Sequence, residues 1–507
     1  MSGSFPEQHV SCLHDESRLS GLAEGIVFPV SESAAIETIR RSADHKRPLT
    51  IQGARTGLAG GAVPIKGLVM NMSEMNRPLS LTRDRGGFLL QVQPGYLLSS
   101  LRRDLRRGKF DWLEPDQLDP DTLQAFNEAG EQFWPPDPSE LTATIGGIAS
   151  TNGRGPGAYR YGSASEHIQA LRLVRADGRV YDLGRGNRFV QGRVRPPWGE
   201  EIQLDPALLN LEPGADLIDL FLGGEGMYGL ISALTLRLKP KPAEMWGIAF
   251  FFPDEKAAAG FVDQTVQAGL KSLSVLDFLD GCSLGMVREL KRVAAKLREI
   301  SDAPEGAEAA VFLELHAATE DEIEESARIL MELAEEQGSD PDSSWALSGD
   351  EIEKLRLFRH AVPESVNTRL DQIRLTYPLA VKLGGDMTVP GATFTETLAR
   401  CRRDLEAAGV EAVVFGHCGQ NHLHVNFLPQ NDNEGQKAGA VMKDWLIFSR
   451  ERGGRLFREH GIGKLKKSLF HQTEAPPKIE AIRGLKNLLD PEGFWNPGNI
   501  FEDDPCE

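Results

Sequence analysis

Short apolar runs and one amphipathic segment organise the first hundred residues of the chain. After Ser31, which can cap a helix, apolar side chains recur at helical spacing through Ala35 and Ile39. Apolar runs of strand length lie at 25–30, 48–53, 67–73 and 88–95. The alternation of strands with a helix predicts an α/β unit at the start of the chain.

The pattern changes at about residue 242. Residues 168–183 predict a hairpin, and an alternating strand from 231 stops at prolines by 242. Beyond it, helical periods and intervening strands predict an α+β domain with an antiparallel sheet. The helical periods lie at 254–269, 283–300, 319–337, 350–371, 434–470 and 476–488, and the strands at 309–316 and 412–417. We therefore divide the chain into residues 1–242, 243–470 and 471–507.

Composition and charge narrow the function classes. The 507 residues carry a net charge of −18, which makes nucleic acid a poor partner. The five cysteines include no CxxC pair, so a cysteine-held iron–sulfur cluster and a zinc ribbon are excluded, and free thiols in a reducing compartment are indicated. No apolar run approaches the roughly 20 residues of a membrane span, and no signal-peptide pattern is present. We expect a cytoplasmic protein without a transmembrane segment.

A glycine-rich loop follows the second predicted strand. It runs from Gln52 to Gly61, and its small residues let successive backbone N–H groups converge on an anion. Arg55 adds a positive charge and Thr56 adds a hydroxyl. The loop matches neither GxGxxG nor GxxxxGK[ST], so the Rossmann and Walker patterns do not describe it. Taken alone, it is compatible with a phosphate cradle or with a tight turn between strands.

Three further blocks follow this loop, at 135–153, at Tyr161-Gly162 and at 223–231. With the loop, they resemble the FAD-binding domain of the vanillyl-alcohol oxidase / p-cresol methylhydroxylase (PCMH) type over roughly residues 22–242. The resemblance implies an α+β fold: a PCMH-type two-subdomain FAD-binding domain, an α+β cap domain with an antiparallel sheet, and a C-terminal helical segment returning to the flavin. Many members attach the flavin to a histidine in the first loop or to a cysteine elsewhere. The loop here has no histidine and residues 142–162 have no cysteine, which favours non-covalent FAD.

The same resemblance assigns cofactor contacts to three of the blocks. The first loop would hold the FAD pyrophosphate, segment 136–152 would line the flavin, and segment 225–231 would contact the adenosine half. The residues assigned to FAD are Gly53, Ala54, Arg55, Thr56, Gly57, Leu58, Pro136, Asp137, Ser139, Thr142, Thr144, Gly146, Gly147, Ala149, Ser150, Asn152, Gly153, Glu225, Gly226, Gly229, Ile231 and Asn496.

Histidines cluster late in the chain. Residues 413–427 predict a strand, a turn and a returning strand, a hairpin that brings His417 near His424. Farther on, Glu459 and His460 are adjacent, so one of them could ligate a metal while the other faces a substrate. Two imidazoles and one carboxylate suit an open site for Zn²⁺, Mn²⁺ or Fe²⁺.

These motifs resemble the flavin- and metal-dependent D-2-hydroxy-acid dehydrogenases, which include D-2-hydroxyglutarate dehydrogenase, some D-lactate dehydrogenases and the flavin subunit of glycolate oxidase. The family pattern H-x-G-D-G-N-x-H, E-H-G-x-G and D-P-x-G-x-x-N-P-G-K corresponds to residues 417–424, 459–463 and 490–499. The resemblance implies a metal, with Zn²⁺ favoured over Mn²⁺ and Fe²⁺. The implied roles are metal ligand for His417, His424 and Glu459, general base for His460, carboxylate clamp for Arg359, and proximity to the flavin for Asn496.

The chain departs from the family pattern at three places. The family's D-G-N reads Gln420-Asn421-His422, and His422 could become an extra metal ligand. The family's K-x-D reads Gly384-Gly385-Asp386, with Lys382 two residues earlier as the candidate catalytic lysine. Asn499 stands where the family's N-P-G-K motif has its final lysine.

The implied reaction is oxidation of a D-2-hydroxy acid of the lactate, glycolate or 2-hydroxyglutarate type to the 2-oxo acid. The electron acceptor stays open among an electron-transferring flavoprotein, a quinone, a cytochrome and an iron–sulfur subunit, and a partner could hold the protein at a membrane surface. Two other hypotheses remain. One is an FAD-binding accessory subunit without its own chemistry. The other is a hydrolase or other metalloenzyme that uses the histidine site alone, which leaves the FAD blocks unexplained.

Overall fold

The computed structural model describes residues 5–110, 113, 119–138, 140–378 and 380–502, and the chain falls into two units. The first unit comprises Met1–Arg154, Ser163–Lys241 and Glu459–Glu507, and the second comprises Gly155–Gly162 and Pro242–Arg458. The division at residue 241 lies one residue from the boundary expected from sequence. Residues 459–470, by contrast, lie with the first unit rather than with the middle domain.

A parallel sheet occupies the start of the first unit. Its strands, in spatial order, are Gly25–Val27, Leu68–Asn71 and Leu49–Gln52. The helix Glu32–Asp44 begins at the Ser31 cap and buries Ala35 and Ile39 completely. Trp495, also fully buried, joins this core from the far end of the chain and bridges to Leu49.

The first unit also contains an antiparallel sheet. Its strands, in spatial order, are Pro78–Asp84, Gly87–Val92, Leu230–Arg237, Ile168–Val174 and Val180–Gly184. Short strand pairs are Arg193–Val194 with Ile202–Gln203 and Gln132–Phe133 with Lys239–Pro240. The remaining helices of this unit are Leu98–Arg107, Pro120–Glu128, Ile145–Thr151, Lys467–Thr473 and Pro476–Leu489. The predicted strands and the hairpin of this region are therefore present.

The second unit is built on a larger antiparallel sheet with helices against it. The strands, in spatial order, are Trp345–Ser348, Glu244–Phe252, Ala309–Ala317, Leu273–Asp280, Ala412–His417, His422–Phe427 and Leu383–Gly384, with Met387–Thr388 also paired to His422–Phe427. The helices are Ala158–Tyr161, Glu255–Ala268, Gly281–Val293, Glu320–Glu336, Ile352–Arg374, Phe394–Ala408 and Asp432–Glu451. Within the described part of the chain, no helix is both long and apolar enough to cross a bilayer.

Two features of the second half differ from the sequence analysis. The helix predicted over 434–470 ends at Glu451, because Gly453 has φ +75° and breaks the helical backbone. The strands Glu244–Phe252 and Leu273–Asp280 were not predicted. Every residue of Leu273–Asp280 is buried, so its pattern lacks the alternation of a strand that has one exposed face.

Candidate functional site

The glycine-rich loop after Leu49–Gln52 is held by side chains on both sides. Gln52 Nε2 donates to the carbonyl oxygens of Cys12 and Ala62, each at 2.7 Å. Asn71 Nδ2 donates to the carbonyl of Gly53 at 3.3 Å. Arg55 has φ +63°, which turns the backbone direction within the loop. These contacts fix the loop without using its own N–H groups.

The first loop packs directly against the second block. A Cβ on Gly53 would lie 2.2 Å from Thr144 Oγ1, and Thr144 caps the helix Ile145–Thr151 by accepting the N–H of Gly147 at 3.2 Å. A Cβ on Gly146 would lie 2.7 Å from Pro94 Cβ. Only glycine lets these backbones approach so closely, so the loop and the helix N-terminus form a cradle suited to an anionic group such as a pyrophosphate.

The fourth block completes this cradle through its backbone. The carbonyls of Ala149 and Ser150 accept the N–H groups of Gly223 and Glu225, each at 2.9 Å. Gly226 and Gly229 have φ of +70° and +142°, so both use backbone that favours glycine. The blocks at 53–58, 136–152 and 223–231 therefore meet in the first unit.

Several predicted cofactor residues already use their side chains within the protein. Asp137 forms an ion pair with Arg102. Asn152 has φ +51°, and its Oδ1 accepts the N–H of Ser165 at 2.9 Å. Thr142 Oγ1 donates to Glu140 at 2.7 Å. Ser139 lies outside the described residues.

Glu225 and Asn496 contact protein rather than open space. The Glu225 carboxylate accepts the N–H groups of Ile462 and Gly463, each at 2.7 Å. Asn496 Oδ1 accepts the N–H of Ile51 at 2.8 Å. Their positions join the fourth block, the second strand and the segment after His460 within the first unit.

The histidine cluster forms the hairpin that its pattern predicts. Ala412–His417 pairs antiparallel with His422–Phe427, and Asn421 takes the left-handed turn conformation with φ +50°. Asn421 Nδ2 donates to the carbonyls of Val389 and Ala392, which fixes the turn. The ring centroids of His417 and His424 are 5.1 Å apart.

A group suited to a metal lies at this hairpin. His417, His424 and Glu459 each offer one ligand atom, and these atoms all lie within 4.8 Å of one another. Two imidazoles and one carboxylate are a ligand set that suits Zn²⁺. His460, the predicted base, follows Glu459 in the chain and is half-buried.

Sequence reasoning missed Asp277, which orients His417. His417 Nδ1 donates to Asp277 Oδ1 at 2.7 Å, and Arg359 Nη1 donates to Asp277 Oδ2 at 2.5 Å. Burial raises the pKa of Asp277, but His417 and Arg359 outweigh burial and hold it below its usual range. The carboxylate is thus charged, and its bond fixes Nδ1 as the protonated nitrogen of His417. An aspartate inside the apolar run SVLDFLD was the available signal.

The other candidates near the hairpin have partners of their own. Arg359, expected to clamp a substrate carboxylate, uses one N–H on Asp277. Lys382 Nζ donates to Asn367 at 2.8 Å. His422, considered as an extra ligand, bonds through Nε2 to Asp386 at 2.9 Å, and both side chains are fully buried.

A second buried polar chain of the second unit was also missed. Tyr161 Oη lies 2.8 Å from His316 Nδ1, and His316 Nε2 lies 3.3 Å from Glu314 Oε2. Arg356 donates two N–H groups to the Glu314 carboxylate, at 2.6 and 2.8 Å. Burial raises the pKa of Glu314, but Arg356 and His316 outweigh it and lower the pKa well below the usual range. The sequence signal that could have revealed this chain was the presence of Glu314 and His316 in the otherwise apolar strand VFLELHA.

Comparisons with known proteins agree with this architecture. Residues 241–500 match the family described as FAD linked oxidases, C-terminal domain, and residues 23–126 and 121–184 match the family described as FAD binding domain. A 4-ethylphenol oxidase from Gulosibacter chungangensis has a similar fold, with a TM-score of 0.66 and 17% identity over 98% of this chain and 93% of that one. The expected α+β fold with a PCMH-type FAD-binding domain is confirmed.

Relatives of similar length extend the likeness along the chain. A D-lactate dehydrogenase of Anaerostipes hadrus is 26% identical over 96% of this chain and 92% of its own. A D-2-hydroxyglutarate dehydrogenase of Stutzerimonas stutzeri is 26% identical over 94% of this chain and 90% of its own. With a family match over about half the chain and FAD-binding blocks assembled in its first unit, the chain belongs to the FAD linked oxidases.

Proposed function

We propose that the protein oxidises a D-2-hydroxy acid of the lactate, glycolate or 2-hydroxyglutarate type to the 2-oxo acid with FAD. The observation that carries the proposal is the group formed by His417, His424 and Glu459 in a chain that also has the FAD-binding blocks. Relatives named D-lactate dehydrogenase and D-2-hydroxyglutarate dehydrogenase support the substrate class.

His417, His424 and Glu459 would hold the divalent ion, and two imidazoles with a carboxylate suit Zn²⁺. Such an ion would polarise the substrate's hydroxyl and carboxylate oxygens and lower the hydroxyl pKa. Asp277 keeps the Nδ1–H tautomer of His417, so that Nε2 would be the nitrogen that binds the ion. Asp277 and Arg359 are positioning residues in this scheme.

His460 is proposed as the general base that takes the hydroxyl proton, since neutral imidazole suits this task near pH 7. When bound, FAD would supply the redox chemistry, as the acceptor of the α-hydrogen as hydride. Lys382 is proposed to place positive charge near the substrate carboxylate. The cradle of residues 53–58 and 144–147 would bind the pyrophosphate. The FAD would be non-covalent, because the first loop carries no histidine and residues 142–162 carry no cysteine that could attach the flavin.

Anaerobic mixing of metal-replete protein with D- and L-2-hydroxy acids tests the proposal through the visible flavin band. We expect one D-acid to bleach the band, and we expect chelation or His460→Ala to abolish bleaching. His45→Ala is the control, because His45 is exposed and bonds to the carbonyl of Arg41 far along the chain from the ligands. A yellow protein that no hydroxy acid bleaches would contradict the proposal and favour the accessory subunit.

A further inference from the structure

The segment that carries Glu459 and His460 is anchored by its following residues. Glu225 Oε1 accepts the N–H of Ile462 and Oε2 accepts that of Gly463, both at 2.7 Å. The carbonyl of Ala59, in the glycine-rich loop, accepts the N–H groups of Lys464 and Leu465, both at 3.0 Å. Four consecutive N–H groups of this segment are therefore bound either by Glu225 or by the cofactor loop.

The two glycines of this segment lie very close to these hydrogen-bond acceptors. Gly461 has φ +73°, and a Cβ there would lie 2.8 Å from Glu225 Oε1. Gly463 has φ +54°, and a Cβ there would lie 2.1 Å from the carbonyl oxygen of Ala59. Residues 461–463 lie directly against the Glu225 carboxylate and the Ala59 carbonyl. Glycine is therefore required at 461 and 463 by the backbone conformation and by the lack of space.

Glu225 is itself fixed to the cofactor loop from its other side. Asn496 Nδ2 and Asn499 Nδ2 each donate to the carbonyl of Glu225 at 3.2 Å. Asn499 Nδ2 also donates to the carbonyl of Gly61 at 3.1 Å. We call Glu225, Asn496 and Asn499 the Glu225 clamp. The clamp links the loop of residues 53–61 to the segment that begins at Glu459.

We propose that Glu225 is a positioning residue that couples FAD binding to metal binding. A pyrophosphate that orders the loop at 53–61 also orders the Ala59 carbonyl and, through the clamp, the backbone that presents Glu459. The inference rests on the proposed function, because it takes Glu459 as a ligand. Coupling between two sites is reciprocal and is typically about 5–150-fold in affinity. We expect FAD to tighten metal binding by a factor in this range.

Mn²⁺ titration of the full-length apoflavoprotein and of the FAD-loaded protein, with free Mn²⁺ measured by electron paramagnetic resonance, tests the coupling without turnover. We expect a lower Kd for Mn²⁺ with FAD bound, and we expect Glu225→Gln to reduce the ratio of the two Kd values to about twofold or less. Its amide would place a donor against one of the two N–H groups. Glu502→Gln is the matched control, since Glu502 is exposed and pairs with Lys467.

Two further measurements separate the outcomes. Asn499→Ala leaves the Glu225 carboxylate in place but removes the shorter of the two hydrogen bonds from the clamp to the Gly61 carbonyl, at 3.1 Å, and keeps that of Asn496, at 3.5 Å. We expect it to weaken the coupling even if Glu225→Gln does not fold. Equal Mn²⁺ affinities of the wild-type apo and FAD-loaded forms would overturn the coupling, and intact bleaching by a D-hydroxy acid would then leave the proposed function standing. Absence of Mn²⁺ binding in both forms would overturn the coupling and the metal assignment together.

Discussion

Replacing Asp277 by asparagine isolates the contribution of one buried charge to metal binding. The side chain keeps its size, but the neutral amide cannot hold the His417 Nδ1–H and the Arg359 guanidinium as the carboxylate does at 2.7 and 2.5 Å. If the amide turns its NH₂ toward His417, the proton moves to Nε2 and blocks the nitrogen that the ion needs. The variant therefore weakens the ligand without removing it.

The expected loss follows from the role of such carboxylates behind a metal-binding histidine. Removing one usually costs about 10–100-fold in metal affinity, which is about 1.4–2.7 kcal/mol. Competition of the protein with a chromophoric chelator for Zn²⁺ measures this loss. FAD fluorescence, recorded without Zn²⁺ so that the proposed coupling does not contribute, measures cofactor affinity. We expect this affinity to be unchanged, because Asp277 belongs to the second unit and the FAD-binding blocks at 53–58 and 223–231 belong to the first.

Asp280→Asn is the matched control. Asp280 lies three residues farther along the same strand, is equally buried, and accepts hydrogen bonds from Ser283 and Val414 rather than from a predicted ligand. Both variants lose a buried charge, so both should lower the free energy of unfolding, but only Asp277→Asn should weaken Zn²⁺ binding. Equal Zn²⁺ affinity of the Asp277 variant and the wild type, or an equal loss in both variants, would refute the reasoning.

Three further predictions concern the cradle, the acid stability and the altered turn. Gly53→Ala places a Cβ against Thr144, and we expect an FAD Kd about 5–150-fold higher by fluorescence titration, since such overpacking costs about 1–3 kcal/mol. Glu314 has a lowered pKa when folded, so the unfolded chain binds its proton first, and the stability that Glu314 provides is lost as pH falls from about 4.5 toward the folded pKa. Urea unfolding of Glu314→Gln should show a cost of about 3–5 kcal/mol at pH 7 that shrinks from about pH 4.5 to about pH 3, and a constant cost over that range would contradict this. His422→Phe removes the bond between His422 and the buried Asp386 and should cost about 1–3 kcal/mol in urea unfolding, yet change Zn²⁺ affinity less than about threefold. A large loss of Zn²⁺ affinity would make His422 a ligand.

The histidine hairpin could be predicted because its evidence is local. The alternation over residues 413–427 fixes which side chains share a face, and a short turn sets the pairing of the two strands. The positioning of His417 could not be predicted in the same way. Asp277 lies 140 residues earlier along the chain, in a strand whose two buried faces carry no periodic signal.

The same distinction applies to the first unit. The glycine-rich blocks were recognisable as motifs, and the structure brings those at 53–58, 136–152 and 223–231 together within the first unit. The use of Glu225 was not recognisable, because its carboxylate meets backbone N–H groups 237 and 238 positions away, and backbone donors leave no mark in a side-chain pattern. The helix was predicted to continue to residue 470 rather than to end at Glu451, because the glycines beyond Glu451 were treated as interruptions within a helical stretch.

The discontinuity of the first unit has a consequence for synthesis on the ribosome. Trp495 fills the core beside Leu49, so the N-terminal sheet lacks a central side chain until the end of the chain has been made. At about 5–20 residues per second, translation from residue 241 to 495 takes roughly 13–50 s. During that interval we expect the nascent first unit to lack this core side chain and to expose apolar surface that a chaperone can bind. The second unit can fold in the meantime.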